Sequence, residues 1–209
     1  VRAGALGTAA CFSFYPGKNL GAYGDAGAVT SADAGLAAQV RLLRNHGRQS
    51  KYLHEVKGFG ERIDTLQAAI LHAKLPYLDE WTAARRRRAA RYHELLDGCD
   101  LVLPHVAPPA QSAWHLYVIR TPQNDSSLRD ALLAHLQANG IGAGVHYPVP
   151  LHLQPAYADL GYSRGALPVS EEVADTCLSL PLYPELSDAQ QDRVVSVIRE
   201  FVGVHANAR

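Results

Sequence analysis

The sequence predicts an α/β protein built from two unlike parts. Short apolar runs separated by glycine turns open the chain, a pattern typical of strands. Apolar residues then recur at helical spacing through the middle of the chain. After Gly98 the chain changes to a proline-containing loop, a run of strand-forming residues and further helical stretches. We therefore predict two domains, residues 1–97 and 98–209.

Two short strands are predicted near the start of the chain. Residues 9–14 are apolar apart from one serine, and residues 26–30 form a second short run. Residues 15–19, which lie between these runs, have the composition of a turn. Because both runs are short, apolar and bounded by turn residues, we expect two buried strands.

Two helical regions follow these strands. Ser31 to Asp33 offers an N-cap for a helix over residues 34–43, which ends near Gly47. The helical period from residue 64 to residue 96 predicts two helices that meet near Pro76, or one helix kinked there. The arginine run at residues 85–88 is flanked by acidic residues, so we expect a solvated or interface face rather than a nucleic-acid site.

The second part is predicted to be a small α/β unit. Residues 114–119 are rich in strand formers, and a helix is expected from about Ser127 to Ala138, before a glycine stop at Gly140. Residues 141–147 are strand-like. A last helix is expected over residues 188–202, introduced by Ser187.

Composition and length of the apolar runs exclude several classes of protein. Twenty Lys and Arg balance 20 Asp and Glu, so the basic excess typical of a nucleic-acid-binding protein is missing. An apolar fraction of 47% is that of a globular domain rather than a disordered chain. No apolar run approaches the roughly 20 residues that span a bilayer, and no leader opens the chain. We therefore expect a cytoplasmic protein with no membrane partner.

Cysteine and histidine spacing gives no sign of a metal site. Cys11, Cys99 and Cys177 are widely spaced, so we predict buried structural thiols rather than a disulfide framework or a zinc site. His146 and His152 form the closest histidine pair, but two prolines separate them. We expect this pair to make hydrogen bonds or substrate contacts rather than to hold zinc.

Lys18 is the candidate for covalent chemistry. It follows a predicted strand and precedes Gly21, Gly24 and Gly27, whose small size allows close backbone approach. This position suits an amine that condenses with an aldehyde, although an exposed turn would have the same pattern. Asn19 after Lys18 excludes a P-loop, and the glycine spacing is not that of a dinucleotide-binding fold.

Several motifs together resemble a known family. Residues 12–20 and 24–29 resemble the segment that carries the Schiff-base lysine in pyridoxal-phosphate sugar aminotransferases of the DegT/DnrJ/StrS family. The remaining matching motifs follow in the family's order, at residues 44–47, 62–71, 115–119, 140–148, 152–157 and 178–184.

The resemblance implies the type I fold of pyridoxal-phosphate-dependent transferases. Residues 1–97 would be the C-terminal part of the large, mainly parallel-sheet domain that binds the cofactor, together with its connecting helices. Residues 98–209 would be the small C-terminal α/β domain. The chain contains no methionine and resembles only the C-terminal half of the family, so we expect it to be a fragment.

The resemblance also implies the chemistry. Lys18 would form the Schiff base with pyridoxal 5'-phosphate and move the proton, and Ser13 would bind the cofactor phosphate. The family implies a homodimer that moves an amino group from glutamate or glutamine to a nucleotide-linked keto sugar. Weaker candidates for substrate or interface contacts are His46, Arg62, His146 and Tyr147.

Two departures from the family pattern leave alternatives open. Gly60 stands where many members have an asparagine that reaches the neighbour's phosphate, and Asp25 stands where glutamate is common. The family's acidic partner of the pyridine nitrogen, its ring-stacking aromatic residue and its other phosphate loop would all precede Val1. The alternative to an aminotransferase is therefore an inactive truncated chain that acts, if at all, as an interaction partner. A regulatory protein of the same fold is a third interpretation.

Overall fold

The computed structural model describes residues 1–122 and 126–206. These residues form two compact units, which divide between Glu80 and Trp81. The division lies before the boundary predicted near Gly98. It does so because Ala89, Tyr92 and Leu96, from the helix that spans this region, are buried in the core of the second unit. The assignment of the two parts to a large and a small domain stays a prediction.

Two antiparallel strands form the sheet of the first unit. β1 (Ala9–Ser13) and β2 (Gly27–Ser31) pair so that Ala9 lies opposite Ser31 and Ser13 lies opposite Gly27. Both strands were predicted, but their predicted burial is wrong, because most of their residues are exposed. Within the described residues this sheet has two strands only, so too little structure packs on its faces to bury them.

The helices of this region follow the predicted pattern. In α1 (Ala34–Arg44) the Asp33 carboxylate accepts hydrogen bonds from the first-turn N–H groups of Gly35 and Leu36, at 2.8 and 3.1 Å. α2 (Thr65–Lys74) is followed by a 3-10 turn (Leu75–Tyr77) and by α3 (Leu78–Leu96). Of the two alternatives, two helices meeting near Pro76 is therefore correct.

The second unit packs helices around a two-stranded antiparallel sheet. β3 (Tyr117–Arg120) pairs with β4 (Cys177–Leu180). Besides α3 from Trp81 onward, its helices are α4 (Ser126–Ala138), α5 (Pro168–Thr176) and α6 (Asp188–Ala206), with 3-10 turns at Leu151–Leu153 and Pro155–Leu160. Side chains from the strands and helices form one core, which includes Tyr92, Tyr117, Ile119, Leu132, Leu178 and Ile198. As predicted, α4 ends just before Gly140 and α6 begins just after Ser187.

The predicted strand over residues 141–147 is wrong. This segment makes a single isolated bridge, between Gly144 and Ser179 of β4. Pro148 and Pro150, which follow, have no backbone N–H with which to extend a strand pairing.

The arginine run in α3 is divided: Arg86 and Arg87 are exposed, as expected of a solvated face, whereas Arg85 is buried and binds other segments of the second unit. Arg85 is only 8% exposed, and its Nη1 donates to the carbonyl oxygens of Trp114, His115 and Leu182 at 3.2, 3.3 and 2.8 Å. The expectation of a solvated or interface face is wrong for Arg85, because this residue lies on the same helix face as the buried Ala89. Further along the helix, Arg88 pairs with Asp188 and Arg91 pairs with Asp192 of α6.

The three cysteines differ in exposure. Cys177 is buried, Cys99 is half-buried and Cys11 is exposed. The predicted burial is therefore wrong for Cys11, which lies on β1 of the exposed sheet. Among the helices of the described residues, none is both long enough and apolar enough to cross a membrane.

Candidate active site

Lys18 lies in a closed loop at the end of β1, residues 14–22, which we call the Lys18 loop. The Phe14 N–H donates to the Ala26 carbonyl, and the Ala22 N–H donates to the Phe14 carbonyl, both at 2.8 Å. Within the loop, the Lys18 N–H donates to the Tyr15 carbonyl at 2.8 Å. The backbone that carries Lys18 is therefore fixed at both ends and at its middle, and Lys18 itself is half-buried.

Gly21 explains how the Lys18 loop closes. A Cβ atom at residue 21 would lie 2.2 Å from the Pro16 carbonyl oxygen, so any side chain there would collide with backbone. Gly21 and Ala22 are both buried. The loop is therefore packed on one side, and it is not a fully exposed turn.

Ser13 is the last residue of β1 and precedes the Lys18 loop. Its Oγ accepts a hydrogen bond from the Tyr15 N–H at 3.3 Å. Because the hydroxyl is the acceptor in that bond, it can still donate its hydrogen to an anion. A hydroxyl donor and a primary amine match the phosphate and the aldehyde of pyridoxal phosphate, so the chemistry of Ser13 and Lys18 fits that cofactor.

An open cleft of about 960 Å³ lies in the first unit, lined by residues of β1, β2, α1 and the segment 59–63. Ser13 and Arg62 both line it, together with Arg41 and Arg44 of α1. Clefts of roughly 300–1,000 Å³ are of the size that holds small molecules. The structure thus brings Ser13 and Arg62 to one cleft, whereas Lys18 and His46 do not line it.

His46 connects the end of α1 to the loop before α2. Its N–H donates to the Phe59 carbonyl at 2.8 Å, and its carbonyl accepts from His54 Nδ1 at 2.9 Å. A Cβ atom at residue 60 would lie 3.2 Å from His46 Cε1, so the imidazole lies directly beside Gly60. Two structural hydrogen bonds and this close contact account for the position of His46.

His146 and Tyr147 belong to the second unit. His146 Nδ1 lies 2.9 Å from the Ser179 hydroxyl of β4, which fixes the imidazole ring. Tyr147 is 70% exposed, with its ring centroid 5.5 Å from that of His146. Tyr147 is therefore available for contact with another molecule, and His146 is held by the sheet.

The second unit contains a buried histidine–glutamate pair that no local sequence pattern predicts. His152 Nε2 lies 2.9 Å from Glu171 Oε1, and Glu171 also accepts hydrogen bonds from the N–H groups of Gly165 and Leu167. The Gly165 N–H and the His152 side chain lower the pKa of Glu171. His146 and His152 thus make hydrogen bonds, as expected. In the described part of the chain, no group of three His, Cys, Asp or Glu residues is arranged to hold a metal ion.

Comparison with known proteins gives consistent matches over almost the whole chain. The model of the DegT/DnrJ/EryC1/StrS aminotransferase family matches residues 1–199. The erythromycin biosynthesis sensory transduction protein EryC1 of Saccharopolyspora erythraea is 50% identical over 199 residues, which are 95% of this chain and 53% of that protein. The dTDP-3-amino-3,4,6-trideoxy-alpha-D-glucose transaminase of Streptomyces venezuelae is 46% identical, over 96% of this chain and 52% of that protein.

The fold matches solved structures equally well. The crystal structure of S. venezuelae DesV in complex with a ketimine intermediate superposes with a TM-score of 0.89 at 46% identity, over 96% of this chain and 53% of that one. The chain spans about half the length of the curated relatives it matches.

Proposed function

Because the chain belongs to the DegT/DnrJ/EryC1/StrS aminotransferase family, we propose that the protein transfers an amino group from glutamate or glutamine to a nucleotide-linked keto sugar. The family's enzymes are sugar transaminases that use pyridoxal phosphate, and we propose the same cofactor here. The observation that carries the proposal is Lys18, half-buried on a closed loop that follows Ser13 and β1.

The bound cofactor supplies a ring that withdraws electrons from the carbon at which a proton is removed. In the proposed mechanism, Lys18 Nζ would hold the cofactor through its aldehyde carbon, and the same amine would be free and neutral while the donor is bound. In that state Nζ would take the proton from the carbon that carries the donor amine. It would pass that proton on to the cofactor side of the reacting group, so the Nζ amine is neutral again when the transfer is complete.

Ser13 orients the cofactor in this proposal. Its Oγ–H donates to the cofactor phosphate, while the Tyr15 N–H fixes the position of the same oxygen. Since the hydroxyl and the Lys18 loop are joined by a short stretch of backbone, the phosphate and the reactive amine are held in a fixed relation.

Substrate recognition is proposed for three arginines of the cleft, Arg41, Arg44 and Arg62, which outnumber the two carboxylates that also line it, Asp25 and Glu61. Guanidinium groups bind phosphate oxygens through paired hydrogen bonds. We assign the diphosphate of the nucleotide sugar to these arginines. His46, His146 and Tyr147 stay candidates for substrate or interface contacts in the proposed homodimer.

Covalent capture of the cofactor tests the assignment of Lys18. The protein is mixed with pyridoxal phosphate, its visible spectrum is recorded, and the adduct is reduced with borohydride and mapped by mass spectrometry. We expect the adduct on Lys18 and loss of turnover in Lys18→Ala, whereas Lys57→Ala, at an exposed lysine, keeps both. Adducts spread over Lys18, Lys51, Lys57 and Lys74 without preference would contradict the assignment.

One relative favours a second candidate function. EryC1 is named as a sensory transduction protein, so a regulator that binds the cofactor without turnover is the alternative. Release of 2-oxoglutarate from glutamate by the loaded protein separates the two functions. Capture at Lys18 with no 2-oxoglutarate supports the regulator, and absence of capture supports an inactive interaction partner.

A further inference from the structure

Two side chains of α2 hold the chain immediately after Lys18. Lys74 Nζ donates to the Gly21 carbonyl at 2.7 Å and lies 4.8 Å from the centroid of the Tyr23 ring. Gln67 Oε1 accepts a hydrogen bond from the Tyr23 N–H at 2.7 Å. Gln67 and Lys74 are about two helical turns apart, so they lie on one face of α2. We call these two residues the α2 clamp.

The α2 clamp contacts backbone atoms that cannot move independently of the Lys18 loop. Gly21 is buried, and a Cβ atom there would overlap the Pro16 carbonyl, so Pro16 and Gly21 are in close contact on either side of Lys18. A shift of the Gly21 carbonyl therefore displaces the backbone that carries Lys18. A second close approach lies at Gly24, where a Cβ atom would be 3.3 Å from Gln67 Nε2.

The bond from Lys74 is the stronger of the two. An ammonium that donates to a carbonyl makes a charge-assisted hydrogen bond, which is shorter and stronger than a bond between neutral groups. Lys74 is half-buried, so its ammonium is partly shielded from competing water. The face of the Tyr23 ring attracts the same cation and helps to hold it over Gly21.

We propose that Gln67 and Lys74 are positioning residues for Lys18, which fix the Lys18 loop from α2 without touching the cofactor. This inference rests on the proposed function, because it assigns the clamp to the presentation of the reactive amine. A misplacement of about 1 Å at a reacting group costs roughly 10²-fold in rate, so a clamp on its backbone affects reactivity.

The variants separate hydrogen bonding from side-chain bulk. Lys74→Met removes the ammonium and keeps most of the side-chain length, whereas Lys74→Arg keeps a cationic donor. Gln67→Leu removes the acceptor for the Tyr23 N–H, whereas Gln67→Glu keeps an oxygen in its place. Lys57→Met is the matched control, because Lys57 is exposed and lies outside the clamp.

Two measurements are made on each variant. Hydrogen–deuterium exchange of residues 19–24 is measured without cofactor, and the rate of borohydride-trapped capture of pyridoxal phosphate at Lys18 is measured by peptide mapping. For Lys74→Met and Gln67→Leu we expect about tenfold faster exchange or more, and about tenfold slower capture or more. Lys74→Arg and Gln67→Glu should keep exchange and capture rates close to those of the unmodified protein. The pH midpoint of the visible band should move only in Lys74→Met and Gln67→Leu, the two clamp-breaking variants.

The outcomes distinguish the clamp from the proposed function. If the unmodified protein does not capture pyridoxal phosphate at Lys18, the proposed function is wrong, and the exchange rates alone decide whether the clamp exists. If exchange rises and capture at Lys18 stays unchanged, the clamp holds the loop without positioning Lys18, and the proposal is overturned. Exchange and capture equal to those of Lys57→Met in both clamp-breaking variants also overturn it.

Discussion

Arg85→Met is expected to destabilise the second unit although it exchanges a charged residue for an apolar one. Arg85 lies inside α3, and its Nη1 is the shared donor for the carbonyls of Trp114, His115 and Leu182. These carbonyls belong to the segment before β3 and to the segment after β4, which are far apart in the chain. The substitution leaves all three carbonyls without this donor; the bond to Leu182 is buried, and those to Trp114 and His115 are partly buried.

The loss of stability in Arg85→Met can be estimated from the number of hydrogens that Nη1 donates. Nη1 carries two hydrogens, so three carbonyls within 3.3 Å share at most two full hydrogen bonds. A hydrogen bond to a charged group contributes about 1.5–3 kcal/mol. Against this, burial of the guanidinium is itself unfavourable and lowers the pKa of Arg85, and Nε has no partner among the described residues. We therefore expect a net loss of about 2–3 kcal/mol in the free energy of unfolding.

Urea and thermal unfolding followed by circular dichroism measure this loss. For a chain of this length, the expected free energy corresponds to a decrease in Tm of about 4–12 °C. Arg87→Met is the control, because Arg87 is exposed on the same helix, and we expect a change within about 0.5 kcal/mol. Equal stability of Arg85→Met and Arg87→Met would refute the reasoning, since the buried hydrogen bonds would then make no net contribution.

Two further predictions concern a carboxylate in each unit. Hydrogen bonds lower the pKa of Glu171 below its ordinary value of 4.5. The ionised carboxylate therefore stabilises the fold fully at pH values above 4.5, and this stability is lost as the pH falls through the lowered pKa. Glu171→Gln should make the acid unfolding curve shallower, and an unchanged curve would contradict this. Asp33→Ala should lower the stability of the first unit by about 1 kcal/mol in urea, because the α1 cap is lost. Asp64→Ala should cost less, since Asp64 makes no side-chain cap bond to α2, and equal losses would contradict the capping argument.

Helix positions could be predicted because their signals act over a few residues. Asp33 and Ser187 cap the following helices through side-chain bonds to nearby N–H groups, and Gly140 ends α4 in a left-handed conformation. Burial could not be predicted in the same way, because it depends on what packs against a face. Cys11 therefore differs from the expectation for β1, and Arg85 differs from the expectation for α3.

In the candidate site, too, only residues that are close together in the sequence could be predicted. Ser13 and Lys18 lie in one contiguous motif, so a single stretch of sequence was enough to predict both. The α2 clamp joins Lys74 to Gly21 across 53 positions, and Glu171 reaches His152 across 19 positions of loop and helix. No local pattern relates such residues, since the folded chain brings them together.

Gly60, which departs from the family pattern, lies directly beside the His46 side chain. His46 has a φ of 60°, in the left-handed region, and its N–H is bonded to the Phe59 carbonyl, so its backbone is held in place. Its imidazole lies where a side chain at residue 60 would begin, with only 3.2 Å between Cε1 and that Cβ position. An asparagine at residue 60, which the family resemblance implies for many members, would therefore need the His46 ring to move. With glycine at residue 60, Arg62 is the cation that residues 59–63 contribute to the cleft. Under the proposed function, an anion bound by this segment would depend on that guanidinium rather than on an amide.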